Sequence, residues 1–242
     1  KDASELNIKL TLMFSPSWAR YIGEDQMRTD EIQAWRTLGH EIGAHHHSIY
    51  HGNWDGYTNY PPWLAELQRY EEGRVVPETY LGTLDLFMDS LASLGPIRSG
   101  CVNEEEDKVE MPEGIIYSTC SGYANFGSPG RLMSDFDEPL KGRNEYVTVG
   151  WWNGALRKWL AHYLMPSVNE LHRVREVFAD MGPDEAYGVV LHASPKNMAA
   201  YYGYLEFVHA EDPLGFKSRT VTEIIEEQLL PERFIEVPQF SE

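Results

Sequence analysis

Short apolar runs alternating with stretches of helical period leave this chain few ways to fold. Ile8-Lys9-Leu10-Thr11-Leu12-Met13-Phe14 reads as a buried strand stopped by Ser15-Pro16. Thr29 to Leu38 places Ile32, Trp35 and Leu38 on one helical face, with Gly39 as a C-terminal stop. Glu41 to His45 follows as a second short strand, and Gly52 to Pro62 as a Gly/Asn/Tyr/Pro-rich loop. The pattern goes on through a helical region over Trp63 to Leu94, broken near Pro77, and strands over Ile97 to Cys101 and Gly114 to Thr119. Asn103 to Glu110 reads as an acidic exposed turn, and Tyr123 to Arg143 as irregular. Further on, Tyr146 to Trp152 alternates as a strand, and Leu156 to Met181 reads as helical with a break at Pro166. Tyr187 to His192 reads as a buried strand, Met198 to His209 and Thr220 to Leu229 as helices, and Phe234 to Val237 as a last strand. Strands interleaved with helices predict a parallel α/β fold, and residues 1–242 read as one domain.

Composition narrows the partners. Apolar residues are 42% of the chain, enough for a core. A net charge of −18 argues against nucleic acid or an anionic membrane, because phosphates would be repelled. No apolar run approaches the length of a membrane span, and no secretory signal is visible. The chain starts at Lys1 rather than Met, which we read as trimming or an incomplete N-terminus. Cys101 and Cys120 are its two cysteines. Buried free thiols are the favoured reading; one disulfide in an exported protein is the alternative.

Chemistry concentrates in Gly39-His40-Glu41-Ile42-Gly43-Ala44-His45-His46-His47-Ser48-Ile49-Tyr50-His51, which holds five of the nine histidines. Neutral imidazole is the commonest protein metal ligand. His47 and His51 are four residues apart, so a helical turn would aim both at one ion. Asp55 continues that spacing, although Gly52 and Gly56 interrupt it. In a second register, His45 and His47 form a His-x-His pair at a strand end, where alternate side chains share a face. The same cluster without a metal would be a polar surface patch.

Gly-His-Glu-Ile-Gly followed by His-Ser-x-x-His resembles the second motif of the polysaccharide deacetylases, carbohydrate esterase family four of the nodulation-protein-B type. Leu10 to Phe14, Ile97-Arg98-Ser99-Gly100 and Val189-Val190-Leu191-His192 stand in order where that family carries other motifs. The resemblance implies a distorted (β/α) barrel that removes acetyl groups from acetylated polysaccharide with a divalent metal, most often zinc. It implies His47 and His51 as metal ligands, His192 as the acid that protonates the leaving amine, and Arg98 as the group that orients the catalytic aspartate. Outside the resemblance, Arg98 is an ordinary surface ion-pair residue and His192 a strand-end histidine satisfied by a carbonyl.

Two departures stand out. Two residues are inserted after Gly43, so His45 occupies the usual ligand slot while His-Ser-x-x-His begins at His47. The family's Asp-Asp pair, which should end a strand before Ile8, has no counterpart; Asp137 matches by composition but lies far downstream. Truncation upstream of Lys1 is the favoured explanation. Trp151-Trp152 offers a sugar-stacking platform, and Tyr201, Tyr202 and Tyr204 read as helix packing. Two other functions fit the same residues. One is a different barrel metallohydrolase built on His45 and His47. The other is a non-catalytic carbohydrate-binding or scaffold relative.

Overall fold

A computed structural model of the chain describes residues 2–49, 53–71, 80–102, 110–112, 114–119, 139–152 and 154–236. Its main sheet has seven strands: β1 (Thr11–Phe14), β2 (Glu41–His46), β3 (Ser99–Val102), β4 (Tyr117–Ser118), β6 (Val147–Trp152), β7 (Ala155–Trp159) and β11 (Glu232–Phe234), in the order β1-β2-β3-β4-β7-β6-β11. Strands β1 to β4 and β7 run parallel; β6 is antiparallel to β7, and β11 is parallel to β6. Four two-residue strands stand apart: β5 (Arg143–Asn144) pairs with β9 (Ala186–Tyr187), and β8 (Tyr163–Leu164) with β10 (Val189–Val190). The chain is therefore mixed α/β. Among the described residues the sheet is open, with β1 and β11 as its edges.

The two faces of β1–β3 differ in chemistry. Ile42, Ala44 and Val102 pack outward against Ala19, Ile22, Ile32, Leu84, Phe87 and Leu91 from helices Pro16–Gly23, Gln26–Thr37 and Leu84–Ser90 and the turn after the last. Side chains alternate along a strand, so the opposite face receives Thr11, Met13, Glu41, Gly43, His45, Ser99 and Cys101, a mostly polar set. At Gly43 a Cβ would lie 3.0 Å from Ser99 Oγ and 3.3 Å from Met13 Cγ, so the missing side chain lets these neighbours close over the strand.

Helix limits follow local signals. Asp25 caps helix Gln26–Thr37 by accepting the Met27 N–H at 2.9 Å. Gly39 takes the left-handed conformation after it, with φ of 88°. Thr220 and Glu223 form a capping box at the start of helix Val221–Glu226.

The C-terminal half departs from the sequence expectation. Leu156 to Met181 is not one broken helix: it holds β7 and β8, and only Leu171–Ala179 is α-helical. Tyr187 to His192 is not a strand of the main sheet. It is interrupted at Gly188, where a Cβ would lie 2.6 Å from the Ala161 carbonyl oxygen, and His192 is exposed beyond β10. Cys101 is disulfide-bonded, so the free-thiol reading does not hold for it; Cys120 lies outside the described residues. The acidic turn over 104–107 and Asp137 also lie outside them.

Candidate functional site

The histidine cluster sits where β2 leaves the sheet. Alternation along the strand divides it. His46 turns to the apolar face, is 0% exposed and meets the Phe87 ring edge-on at 5.1 Å. His45 and His47 share the other side, with their Nε2 atoms 2.7 Å apart and their rings nearly perpendicular. Cys101 stands in register with His45 on the neighbouring strand.

A loop returning through residues 53–57 fixes His47. Its Nδ1 lies 2.9 Å from the Asn53 carbonyl oxygen, an acceptor only, so Nδ1 carries the proton and Nε2 presents a lone pair. His45 Nε2 then donates to it. Asp55 holds the same turn: one carboxylate oxygen accepts the His47 N–H at 3.0 Å and the His46 Nδ1–H at 2.9 Å, and the other accepts the Tyr57 N–H at 3.2 Å. Asp55 thereby ties the backbone of His47, the ring of His46 and the turn at Tyr57 together.

Burial favours the neutral form of two of these rings. Burial depresses the pKa of His47 below the ordinary histidine value. The bond to Asn53 and the charge of Asp55 oppose that effect, whereas positive charge on His46 or His192 adds to it. His40, just before β2, is also depressed, chiefly by burial. Its Nδ1 accepts the Leu10 N–H at 3.0 Å and its Nε2 lies 2.8 Å from Ser4 Oγ, so a second proton would break the Leu10 bond. A histidine whose folded pKa is lowered binds its proton first in the unfolded chain. Stability is therefore full above about pH 6.5 and falls below it, by up to about 1.4 kcal/mol per pH unit for each group. Urea midpoints between pH 7.5 and 5.5 should drop, and His40→Gln should flatten the slope; an equal slope in the variant would remove His40 as a source.

The expected site residues are only partly brought together. His192 comes near enough to His47 for its charge to be felt there. His51 lies outside the described residues. Arg98 does not join them. The β2–β3 register sets it level with Ile42, five residues short of His47, or roughly 16 Å along an extended strand. There Arg98 pairs with Glu226, with the Tyr117 ring 5.2 Å away. Trp151 is 63% exposed, yet it pairs with Leu156 at the start of β7, the end of the sheet away from the histidines. The side chain of Trp152 is outside the description.

Beside His47 opens a cleft of about 700 Å³, walled by Ser15, Arg20, Trp54, Tyr57, Asp89 and Ser93 among others. The C-terminal ends of parallel strands are where open α/β sheets bind ligands. His47 Nε2 offers a lone pair to a divalent metal, and His45 Nε2 can join it once its proton moves to His45 Nδ1. Among the described residues no group of three or more His, Cys, Asp or Glu is placed to hold one. Ser48 Oγ is buried with no hydrogen-bond partner.

No protein-family model matches the sequence, and no curated protein matches it. Among solved structures, the crystal structure of 4-alpha-glucanotransferase from Thermococcus litoralis is similar at a TM-score of 0.45 and 15% identity. The similarity covers 98% of this chain, which spans 37% of that one. A likeness at this level carries neither a family nor an activity to this chain. No helix among the described residues is long and apolar enough to cross a membrane.

Proposed function

We propose that this protein is a metal-dependent hydrolase that removes acetyl groups from N- or O-acetylated polysaccharide, on a distorted (β/α) barrel of the polysaccharide-deacetylase type. The observation that carries the metal reading is the 2.7 Å approach of His45 Nε2 to His47 Nε2, with His47 Nδ1 tied to the Asn53 carbonyl. A ring whose Nδ1–H is anchored on a carbonyl, so that Nε2 is the lone-pair nitrogen, is the usual arrangement of a metal-binding histidine; without metal, that lone pair accepts from His45. His47 is the ligand common to every assignment. His51 pairs with it by the four-residue spacing, and His45 by proximity. Zinc at this position would supply Lewis acidity and an activated water. The polysaccharide-deacetylase part of the proposal rests on the motif resemblance.

The chain's own residues have separate tasks in this reading. His47, whose pKa burial lowers, offers its Nε2 lone pair to the metal, and His45 Nε2 joins it once its proton moves to Nδ1. His192, exposed and within electrostatic range of His47, donates a proton to the leaving amine. The disulfide at Cys101 fits an exported protein. A second reading, another type of barrel metallohydrolase on a His-x-His pair, draws support from the same His45–His47 contact.

Elemental analysis before and after chelation, with a screen of acetylated glycans for released acetate, tests the proposal. About one zinc per chain and acetate release are expected. His192→Ala should lower turnover by roughly 10²–10⁴-fold and leave the zinc in place. Zinc without acetate release from any glycan would favour the second reading or a non-catalytic relative that lacks the Asp-Asp pair. Unchanged turnover would remove His192 as the acid.

A further inference from the structure

We infer that Asp55 is a positioning residue that sets how His47 is presented to a metal, an inference that rests on reading His47 as a metal ligand. Four hydrogen bonds converge on Asp55. Its side chain, 7% exposed, accepts from the His47 N–H, the His46 ring and the Tyr57 N–H. Its own N–H donates to the His47 carbonyl at 3.2 Å. The backbone of His47 is thus gripped on both sides by one residue. The ring is held by Asn53, two positions before Asp55 on the same loop, so the grip on the backbone and the grip on the ring share one support.

That support is anchored in the core. The His46 ring, bound to the same carboxylate oxygen as the His47 N–H, packs edge-on to Phe87 at 5.1 Å. Tyr57, whose N–H the other oxygen accepts, meets Phe87 at 5.8 Å. Phe87 is wholly buried in helix Leu84–Ser90. The arrangement turns the apolar face of the sheet into a fixed base for a side chain on its polar face. Three of the roughly four acceptor sites of this carboxylate are taken by backbone and ring donors, so its main task is to hold the loop. Supporting residues of this kind typically govern metal affinity by about 10–100-fold.

The test measures zinc affinity of the whole chain by competition with a chromophoric chelator, and the His47 ring tautomer by nitrogen-15 NMR. Asp55→Ala should weaken zinc binding by about 10–100-fold, and the His47 ring signals should lose the single Nδ1–H tautomer even without metal. Asp55→Asn can keep its carbonyl oxygen on the His47 and His46 donors, so it should restore affinity to within a few-fold. If Asp55→Ala fails to fold, Asp55→Glu retains the charge but displaces the oxygens, and the same loss is expected. A folded Asp55→Ala or Asp55→Glu with wild-type affinity and an unchanged tautomer overturns the inference. Wild-type chain that takes up no zinc overturns the metal reading; a tautomer that still shifts in Asp55→Ala then upholds the positioning role alone.

Discussion

His47→Ala should abolish tight zinc binding, whereas His45→Ala and His51→Ala should divide the remaining assignment between them. His47 belongs to both possible pairs: it faces His45 at 2.7 Å and begins the His-Ser-x-x-His spacing that ends at His51. Removing a direct ligand should cost more than the roughly 10–100-fold governed by a supporting residue. Metal stoichiometry after gel filtration in a weak chelator should fall from about one per chain to near zero. The single variants then discriminate. If His51→Ala loses the ion and His45→Ala keeps it, the four-residue pair binds, as the deacetylase resemblance implies. If His45→Ala loses it and His51→Ala keeps it, the His-x-His pair binds. Loss in both means all three rings share the ion. Full stoichiometry in His47→Ala would refute every one of these assignments.

The local order of this site was legible because it is local. Glu41 to His45 alternates, Gly39 stops the preceding helix, and a His-x-His pair on such a strand must share a face. The division of labour was less legible. Asp55 suggested a ligand by spacing, but the chain folds back so that its oxygens meet the His47 and Tyr57 N–H groups and the His46 ring. Asn53 acts through its carbonyl, which no side-chain motif announces.

Farther along, the hydrophobic period misled. Leu156, Trp159, Leu160 and Tyr163 have helical spacing, yet β7 buries Arg157 and Trp159 on alternate positions. Arg157 can sit inside because its guanidinium donates to the Pro112 and Ile115 carbonyls at 3.0 and 2.6 Å and to that of Met111. A charged residue at a core position hides the period of two. The Asn153-Gly154 step before β7 is a two-residue hairpin signal, with Gly154 at φ of 76°, and it was the available clue. Arg98 had the right neighbours in sequence but stands before β3 begins, and parallel strands separate their two ends by their whole length.

Glu41→Ala should destabilise the fold by about 2–4 kcal/mol and leave zinc binding intact. Glu41 opens β2 at the end of the sheet opposite the histidines, and four hydrogen bonds reach its half-buried carboxylate. One oxygen accepts from Ser99 Oγ and Thr222 Oγ1, each at 2.5 Å. The other accepts from Thr11 Oγ1 at 3.1 Å and the Thr222 N–H at 3.0 Å. Thr11 Oγ1 in turn accepts the Val221 N–H at 3.1 Å. One carboxylate therefore joins β1, β2, β3 and the first turn of helix Val221–Glu226, where negative charge is favoured. Truncation strands several polar groups at once, and each such loss costs about 1–3 kcal/mol when water cannot replace the partner. Glu41→Gln keeps the shape but points an NH₂ at donors, so about 1–2 kcal/mol is expected. Urea midpoints measure both, and limited proteolysis should cut the Glu41→Ala chain sooner around Lys217 and Arg219, just before the loosened helix. A change below about 0.5 kcal/mol would place Glu41 among ordinary surface substitutions. Loss of zinc in a folded Glu41→Ala chain would mean that the two ends of the polar face are coupled, and the separation of anchor from site drawn here would be wrong.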